Sequence, residues 1–363
     1  MPKAAERNFI GLYVDGGRVN AARIAVRGND QQMRPRLTGY ARREVSPGLT
    51  GRIEAARAGK LTLSALAELD RDVGCALGVV ARDLADTGPV ASIGSSGVPV
   101  APGVELGRPA ALAQEAGVPV AARFADSDLA AGGNGTAVCA WPDWRMLRDE
   151  RWSRVLVHLG DMASLTFVGS AAAACEVVAF DVGPGVGPLE ALARELYEHD
   201  DAEGASAARG EVNAALLNEL LAERFFRAPV PRGAEPGRWG SDYLARVWMM
   251  ARKGGCEGES LLATMAESVA RAVARAIAGL TERPHDVVLA GRGAASIHLA
   301  ARIRDLMCPS STVPAGKFGL PAEAWRAVSH AMLAAARLDG FAAHCAAASG
   351  AAGAAVLGSV TSP

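Results

Sequence analysis

Strand-like and helix-like apolar runs alternate along this chain, and the turns between them carry most of its glycine. Asn8 to Val14 and Val19 to Val26 read as two strands, and Asp15-Gly16-Gly17-Arg18 between them has the residue types of a tight hairpin turn. Leu61 to Leu84 has helical spacing, with Leu63, Leu66, Leu69, Val73, Leu77 and Val80 on one face. Val90 to Gly94 predicts a strand, Pro109 to Ala116 a short helix, and Val118 to Phe124 another strand. A glycine-rich loop follows at Ala131 to Gly135. Arg154 to Leu159 and Ser164 to Val168 then form a second strand–turn–strand unit around Gly160-Asp161-Met162-Ala163, repeating the opening hairpin. From Ser260 to Leu280, Leu261, Leu262, Met265, Val269, Val273 and Ile277 form one apolar stripe, which predicts a core helix. Val287 to Ala290 is a buried strand running into Gly291-Arg292-Gly293 and then a helix from Ala295 to Met307. Met33 to Gly51, Glu195 to Gly210 and Ala228 to Ser241 read as loops.

Length changes the picture first: 363 residues exceed what one core usually supports, so two domains are expected, at 1–150 and 151–363. The last helix is expected to cross back to the first domain. Half of the residues are hydrophobic, but much of that is alanine and no apolar run reaches membrane length. The N-terminus is polar and lacks a signal-peptide core, so a cytoplasmic location is expected. A net charge of −1 makes no electrostatic case for nucleic acid. The six cysteines lack C-x-x-C pairs, which argues against zinc and disulfide scaffolds and for mostly buried, hydrophobe-like thiols.

The richest candidate chemistry is Phe180-Asp181-Val182-Gly183-Pro184-Gly185, a lone carboxylate on a glycine turn between a strand-like run and a helix opening at Pro188. Backbone N–H groups at such a turn and helix start suit anionic oxygens, and the carboxylate is placed to face a cleft. An aspartate there equally caps its own turn.

Two α/β halves, each opening on a glycine-turned antiparallel hairpin, resemble the two-domain ATPases of the actin and hexokinase type. In those the paired turns hold nucleotide phosphates across a central cleft, and a late βα turn holds the adenosine. Specific strings narrow this: Gly107-Arg108-Pro109-Ala110, Asp128-Leu129-Ala130-Ala131-Gly132-Gly133-Asn134-Gly135, Phe180 to Gly185, Phe318-Gly319-Leu320-Pro321-Ala322-Glu323-Ala324 and Leu338-Asp339-Gly340. In collinear order they resemble the anhydro-N-acetylmuramic acid kinases. The resemblance implies ATP with Mg²⁺, a cell-wall-derived anhydro-sugar and a dimer. It implies opening of the 1,6-anhydro bridge by a water activated at a carboxylate, while the freed O6 takes the γ-phosphoryl group.

Carried over position by position, the resemblance makes Asp181 the base and places Asp128 and Glu323 at the sugar. It puts Asp15, Gly16, Gly17, Gly160, Gly183, Gly185, Gly291 and Gly293 around the nucleotide, with Asp15 also serving the metal. The departures are as informative. The family's first phosphate loop, Gly-Thr-Ser-x-Asp-Gly, is here a shorter turn without the two hydroxyls. Its second, Gly-Gly-Ile-Ala-Asn, is Gly160-Asp161-Met162-Ala163-Ser164, with a carboxylate in place of a glycine. The sugar-side His, Gln and Thr are gone from Gly94-Ser95-Ser96-Gly97-Val98-Pro99. Arg123-Phe124-Ala125 has lost both charged partners of Asp-Phe-Arg, a lysine has become Arg232, and Arg292 stands where the family has glycine. Two functions follow from the residues: a divergent sugar kinase, or a pseudokinase that binds a sugar or a partner such as an active homologue.

Overall fold

A computed structural model describes residues 6–363. Asp15 and Arg18 pair across a two-residue loop in which Gly16 and Gly17 both have positive φ (58° and 71°), the geometry that closes a hairpin with the strands' own twist. The hairpin β1 (Arg7–Asp15) and β2 (Arg18–Arg27) continues into β3 (Arg34–Glu44), and all three are antiparallel. On the other side β4 (Ser92–Ser95) lies parallel to β1. After a small separate hairpin, β5 (Val98–Ala101) with β6 (Val104–Leu106), strand β7 (Val120–Ala122) lies parallel to β4.

The second half repeats this plan. β8 (Arg154–Leu159), β9 (Met162–Val168) and β10 (Val178–Pro184) are antiparallel, and β11 (Asp286–Ala290) and β12 (Ser311–Pro314) extend the sheet in parallel from β8. The orders β3-β2-β1-β4-β7 and β10-β9-β8-β11-β12 are the same topology used twice. The last strand, β13 (Ser359–Thr361), adds to the first sheet beside β7.

The helix Trp325–Leu338 joins the two halves. It is apolar almost all round because it is covered by β1 and β4 on one side and by the core shared with the second sheet on the other. Contact with the first sheet depends on two glycines. A Cβ on Gly11 would lie 1.8 Å from the Ala327 carbonyl oxygen, and one on Gly94 would lie 2.0 Å from that of His330. Backbone cannot yield as a side-chain tip can, so Gly11→Ala is expected to destabilise the fold by roughly 1–3 kcal/mol. A fall in the urea midpoint with an unchanged m-value would record it; an unshifted midpoint would show that the helix does not seat there.

Most elements follow the apolar pattern, with differences that have local causes. The helix Leu63–Ala85 buries Leu69, Val73, Leu77 and Val80, but Leu63 opens it and stays exposed. Val118–Phe124 shortens to β7, because Phe124 begins the helix Phe124–Ala130. The expected loop at 33–51 is instead β3 followed by the start of the helix Pro47–Arg57. β3 is an edge strand, so it carries Pro35, Gly39 and four arginines that a central strand would not. The 195–210 run likewise contains the end of the helix Gly187–Tyr197 and the turn of helix Ala205–Arg209. Of the cysteines, Cys139, Cys256 and Cys345 are buried, whereas Cys175 and Cys308 are exposed. No helix of the described residues is long and apolar enough to cross a membrane.

Candidate functional site

Both hairpin turns and the turn after β11 meet at one point, where four charged side chains converge. Asp15 ends β1, Asp161 occupies the β8–β9 turn, and Glu190 lies in the first turn of the helix Gly187–Tyr197. Arg292, in the turn after β11, sits among them with its side chain 5 % exposed. Its Nε donates to both Glu190 oxygens (2.9 and 3.1 Å), its Nη2 donates to Asp161 Oδ1 (2.5 Å), and its Nη1 is in ion-pair contact with Asp15. The two turns also bond each other directly. The Asp161 N–H donates to Asp15 Oδ1 (2.8 Å), and the Gly16 N–H donates to Asp161 Oδ2 (3.1 Å). Arg18 adds a further tie through Asp200 (2.9 Å), with Glu190 at 3.9 Å.

Burial raises the proton affinity of Asp15 and Glu190, opposed by Arg292. Asp161 keeps about half of its side chain in solvent; burial acts upward on it too, but Arg292, Arg57 and the Gly16 N–H hold it below the usual carboxylate range.

This junction does not fit a metal-bound polyphosphate. A Cβ on Gly16 would already lie 2.7 Å from Arg292 Cζ, and one on Gly160 would lie 2.8 Å from Asp15 Oδ1. The open space that paired glycine turns offer an anion is filled by a guanidinium. Gly185 and Gly187 approach Gly160 and Asp161, while Gly291 and Gly293 approach Leu159 and Val186, so these glycines serve close packing of the turns on one another. Gly17 lies beside Thr50, and Gly183 beside Phe226. Among the described residues, no three His, Cys, Asp or Glu side chains are arranged to hold a metal ion, and Asp15 is committed to Arg292.

Asp181 lies within β10 rather than on a turn. A register shift between Asp181 and Gly183 bulges the strand there, a device that re-aims a side chain. Phe180 and Val182 face the core under the helix Gly258–Ala278, so by alternation Asp181 faces the opposite side, towards the crossing helix. It is buried, and Oδ2 accepts the Ala234 N–H at 2.8 Å. Arg232 holds this contact in place: its Nε donates to the Asp181 carbonyl (3.1 Å), and its guanidinium lies 5.1 Å from the Phe180 ring centroid. Burial lifts the Asp181 carboxyl to about 7 against the pull of the Ala234 N–H, Arg326 and Arg232.

The two remaining carboxylates are engaged by the protein. Asp128 is fully buried and accepts from His344 Nε2 (2.6 Å), Ser349 Oγ (2.5 Å) and the Gly135 N–H (2.7 Å). His344 Nδ1 accepts the Ala355 N–H, which fixes the proton on Nε2. Asp128 therefore pins the C-terminal segment to the 131–135 loop. Glu323 precedes the crossing helix and accepts twice from Arg42 on β3 (3.0 and 2.9 Å).

Sequence reasoning missed the polar layer between the sheets. Arg326 is buried, donating to Asp143 Oδ2 (2.8 Å) and to the hydroxyl of Ser164, the residue paired with Asp181. Asp143 also receives Trp325 Nε1 and Thr166 Oγ1. Tyr13 lies between His158 and His330, with ring centroids at 5.6 and 5.9 Å. Both histidines are kept neutral by burial, His330 down to about 4. The signal that was available is the four-residue spacing of Arg326 and His330 in a helix whose only other polar residues are Ser329 and Arg337. Glu190 gave no such signal, because a glutamate in a first helical turn is ordinary.

A family model described as anhydro-N-acetylmuramic acid kinase matches residues 9–363. An anhydro-N-acetylmuramic acid kinase from Gloeobacter violaceus is 30% identical over 384 aligned residues, covering 99% of this chain and 98% of that protein. One from Streptomyces avermitilis is 32% identical over 262 residues, 71% of this chain and 65% of that protein. Among solved structures, the activator of the 2-hydroxyisocaproyl-CoA dehydratase from Clostridium difficile superposes with a TM-score of 0.47 at 12% identity, covering 92% of this chain and 96% of that one.

Proposed function

Because this chain belongs to the anhydro-N-acetylmuramic acid kinase family, we propose that it acts on an anhydro-sugar or a related cell-wall saccharide, with Asp181 as the base. The observation that carries this is the bulged, buried placement of Asp181 with one oxygen held by the Ala234 N–H. Oδ1, which takes no hydrogen bond from the described residues, is left to accept a proton from water. As that water's oxygen bonds to the anomeric carbon, the bond from that carbon to the bridging O6 breaks, and the electron pair left on O6 takes the γ-phosphoryl group of ATP, with ADP leaving. A carboxyl titrating near 7 returns such a proton at little cost. Fixing Asp181 by backbone and by Arg232 keeps its approach to the water defined, which is the positioning part of the work.

On this reading the two repeated sheets mark two domains, at 1–150 and 151–363, with the crossing helix returning to the first. A second reading, a catalytically impaired relative that binds a sugar or a partner, is favoured by one observation: the phosphate side of the junction is filled by Arg292. The experiment that separates them incubates the full chain with 1,6-anhydro-N-acetylmuramic acid, with and without Mg·ATP, and follows the sugar by mass spectrometry. A ring-opened, phosphorylated product supports the kinase. Sugar binding without product supports the second reading, and neither binding nor product overturns both.

A further inference from the structure

The charges at the junction of the two hairpin turns are unbalanced in a way that assigns Arg292 a specific role. Three carboxylates, Asp15, Asp161 and Glu190, come from three separate elements and share one buried guanidinium. Arg18, held by Asp200, offers a second positive charge only at 3.9 Å from Glu190, and Arg57 acts on Asp161 by charge without a hydrogen bond to it. Asp15 and Glu190, brought together out of water, need a counter-cation, since like charges repel strongly where screening is weak, and half-exposed Asp161 adds a third negative charge beside them. A divalent metal is one solution to that requirement and an arginine is another.

We infer that Arg292 is a built-in counter-cation that takes the place of a metal between the two turns and excludes polyphosphates from them. Three features support this. The guanidinium lies against the position a Gly16 Cβ would take, so no room is left for a phosphate at that turn. Asp161 is bonded to the Gly16 N–H, so the backbone donor that would greet an anion is already taken. The Asp161 N–H is likewise bonded to Asp15, so the second turn's donor is also taken. An incoming triphosphate would have to displace the arginine and would then face three carboxylates. This inference rests on the second reading of the nucleotide side, and it is independent of any proton transfer at Asp181.

The test therefore reads binding rather than turnover. Thermal unfolding of the full chain is measured with and without Mn²⁺, and with and without Mg·ATP, for the natural protein and for Arg292→Gly. The natural protein is expected to show no shift in midpoint with Mn²⁺ or with millimolar Mg·ATP. Arg292→Gly, which removes the guanidinium that holds the three carboxylates apart and lets them close on an ion, is expected to gain about 4 °C in saturating Mn²⁺, reversed by EDTA. A folded variant that ignores Mn²⁺ overturns the counter-cation role. A natural protein stabilised by Mg·ATP overturns the exclusion. Should the variant not fold in any cation, hydrogen exchange of the natural protein at 15–17 and 160–162 decides: protection by Mg·ATP overturns the inference, and unchanged exchange supports it.

Discussion

Replacing Arg292 with methionine is expected to lower the unfolding free energy by about 3–5 kcal/mol, the cost of removing one partner from a buried ionic cluster. Methionine keeps much of the volume, so the loss reflects charge rather than a cavity. Asp15 and Glu190 must then share a water-poor junction without the guanidinium, and their proton affinities rise further, while Asp161 loses the cation that holds it low. The sign of the pH dependence follows. A carboxyl whose folded pKa lies above its unfolded value contributes stability that is fully present below the unfolded value, near 4, and is lost as pH rises through the folded one. In the natural protein burial already lifts Asp15 and Glu190 while Asp161 is held low, so part of this behaviour is offset. In the variant that offset is gone. The deficit should be larger at pH 8 than at pH 5 when urea midpoints are compared. Salt should change the Asp15 and Glu190 part of it little, because those two carboxylates are buried beside the guanidinium, and should weaken only the part that comes from half-exposed Asp161. A deficit below about 1 kcal/mol, equal at both pH values, would mean that the cluster does not form in solution.

Asp181→Asn is expected to remove any turnover of an anhydro-sugar by about 10²- to 10⁴-fold without unfolding the chain. The amide oxygen of asparagine can still accept the Ala234 N–H, so the local hydrogen bond survives while the proton acceptor does not. The pH profile adds a check that a merely structural residue would not pass. The Asp181 carboxyl titrates near 7, so activity of the natural protein should rise with pH through that value as the carboxylate form fills. Stability should move the other way. The raised folded pKa favours the folded state below about 4, and that contribution is lost as pH rises through about 7. Asparagine carries no charge at any of these pH values, so the variant should lose this slope and gain on the natural protein above pH 7. Unchanged turnover in the variant would remove Asp181 from the role of base.

The two charged centres differ in how far they could be read from the chain. Asp181 announces itself locally, as a carboxylate beside glycine and proline at the end of an apolar run. The bulge that turns it towards the crossing helix comes from pairing with β9, and no residue in the run specifies it. Arg292 is visible as an arginine between two glycines, but its partners are not: Asp15 and Glu190 are 277 and 102 positions away, and each has an ordinary local explanation. β3 reads as a loop in the sequence because an edge strand tolerates the arginines, proline and glycine that elsewhere mark one.

What the sequence by itself determined was local and periodic: the two glycine-turned hairpins, the helices Pro109–Ala116 and Gly258–Ala278, and the order in which they recur. Turn chemistry and apolar spacing act within a few residues, so they survive in a linear reading. What only the tertiary structure decided was which charges meet. The Arg292 cluster, the Asp143–Arg326 pair and the Asp128–His344–Ser349 pin each join residues more than a hundred positions apart. Their chemistry depends on burial and a few ångströms of separation, quantities that exist only after the sheets have packed against the crossing helix.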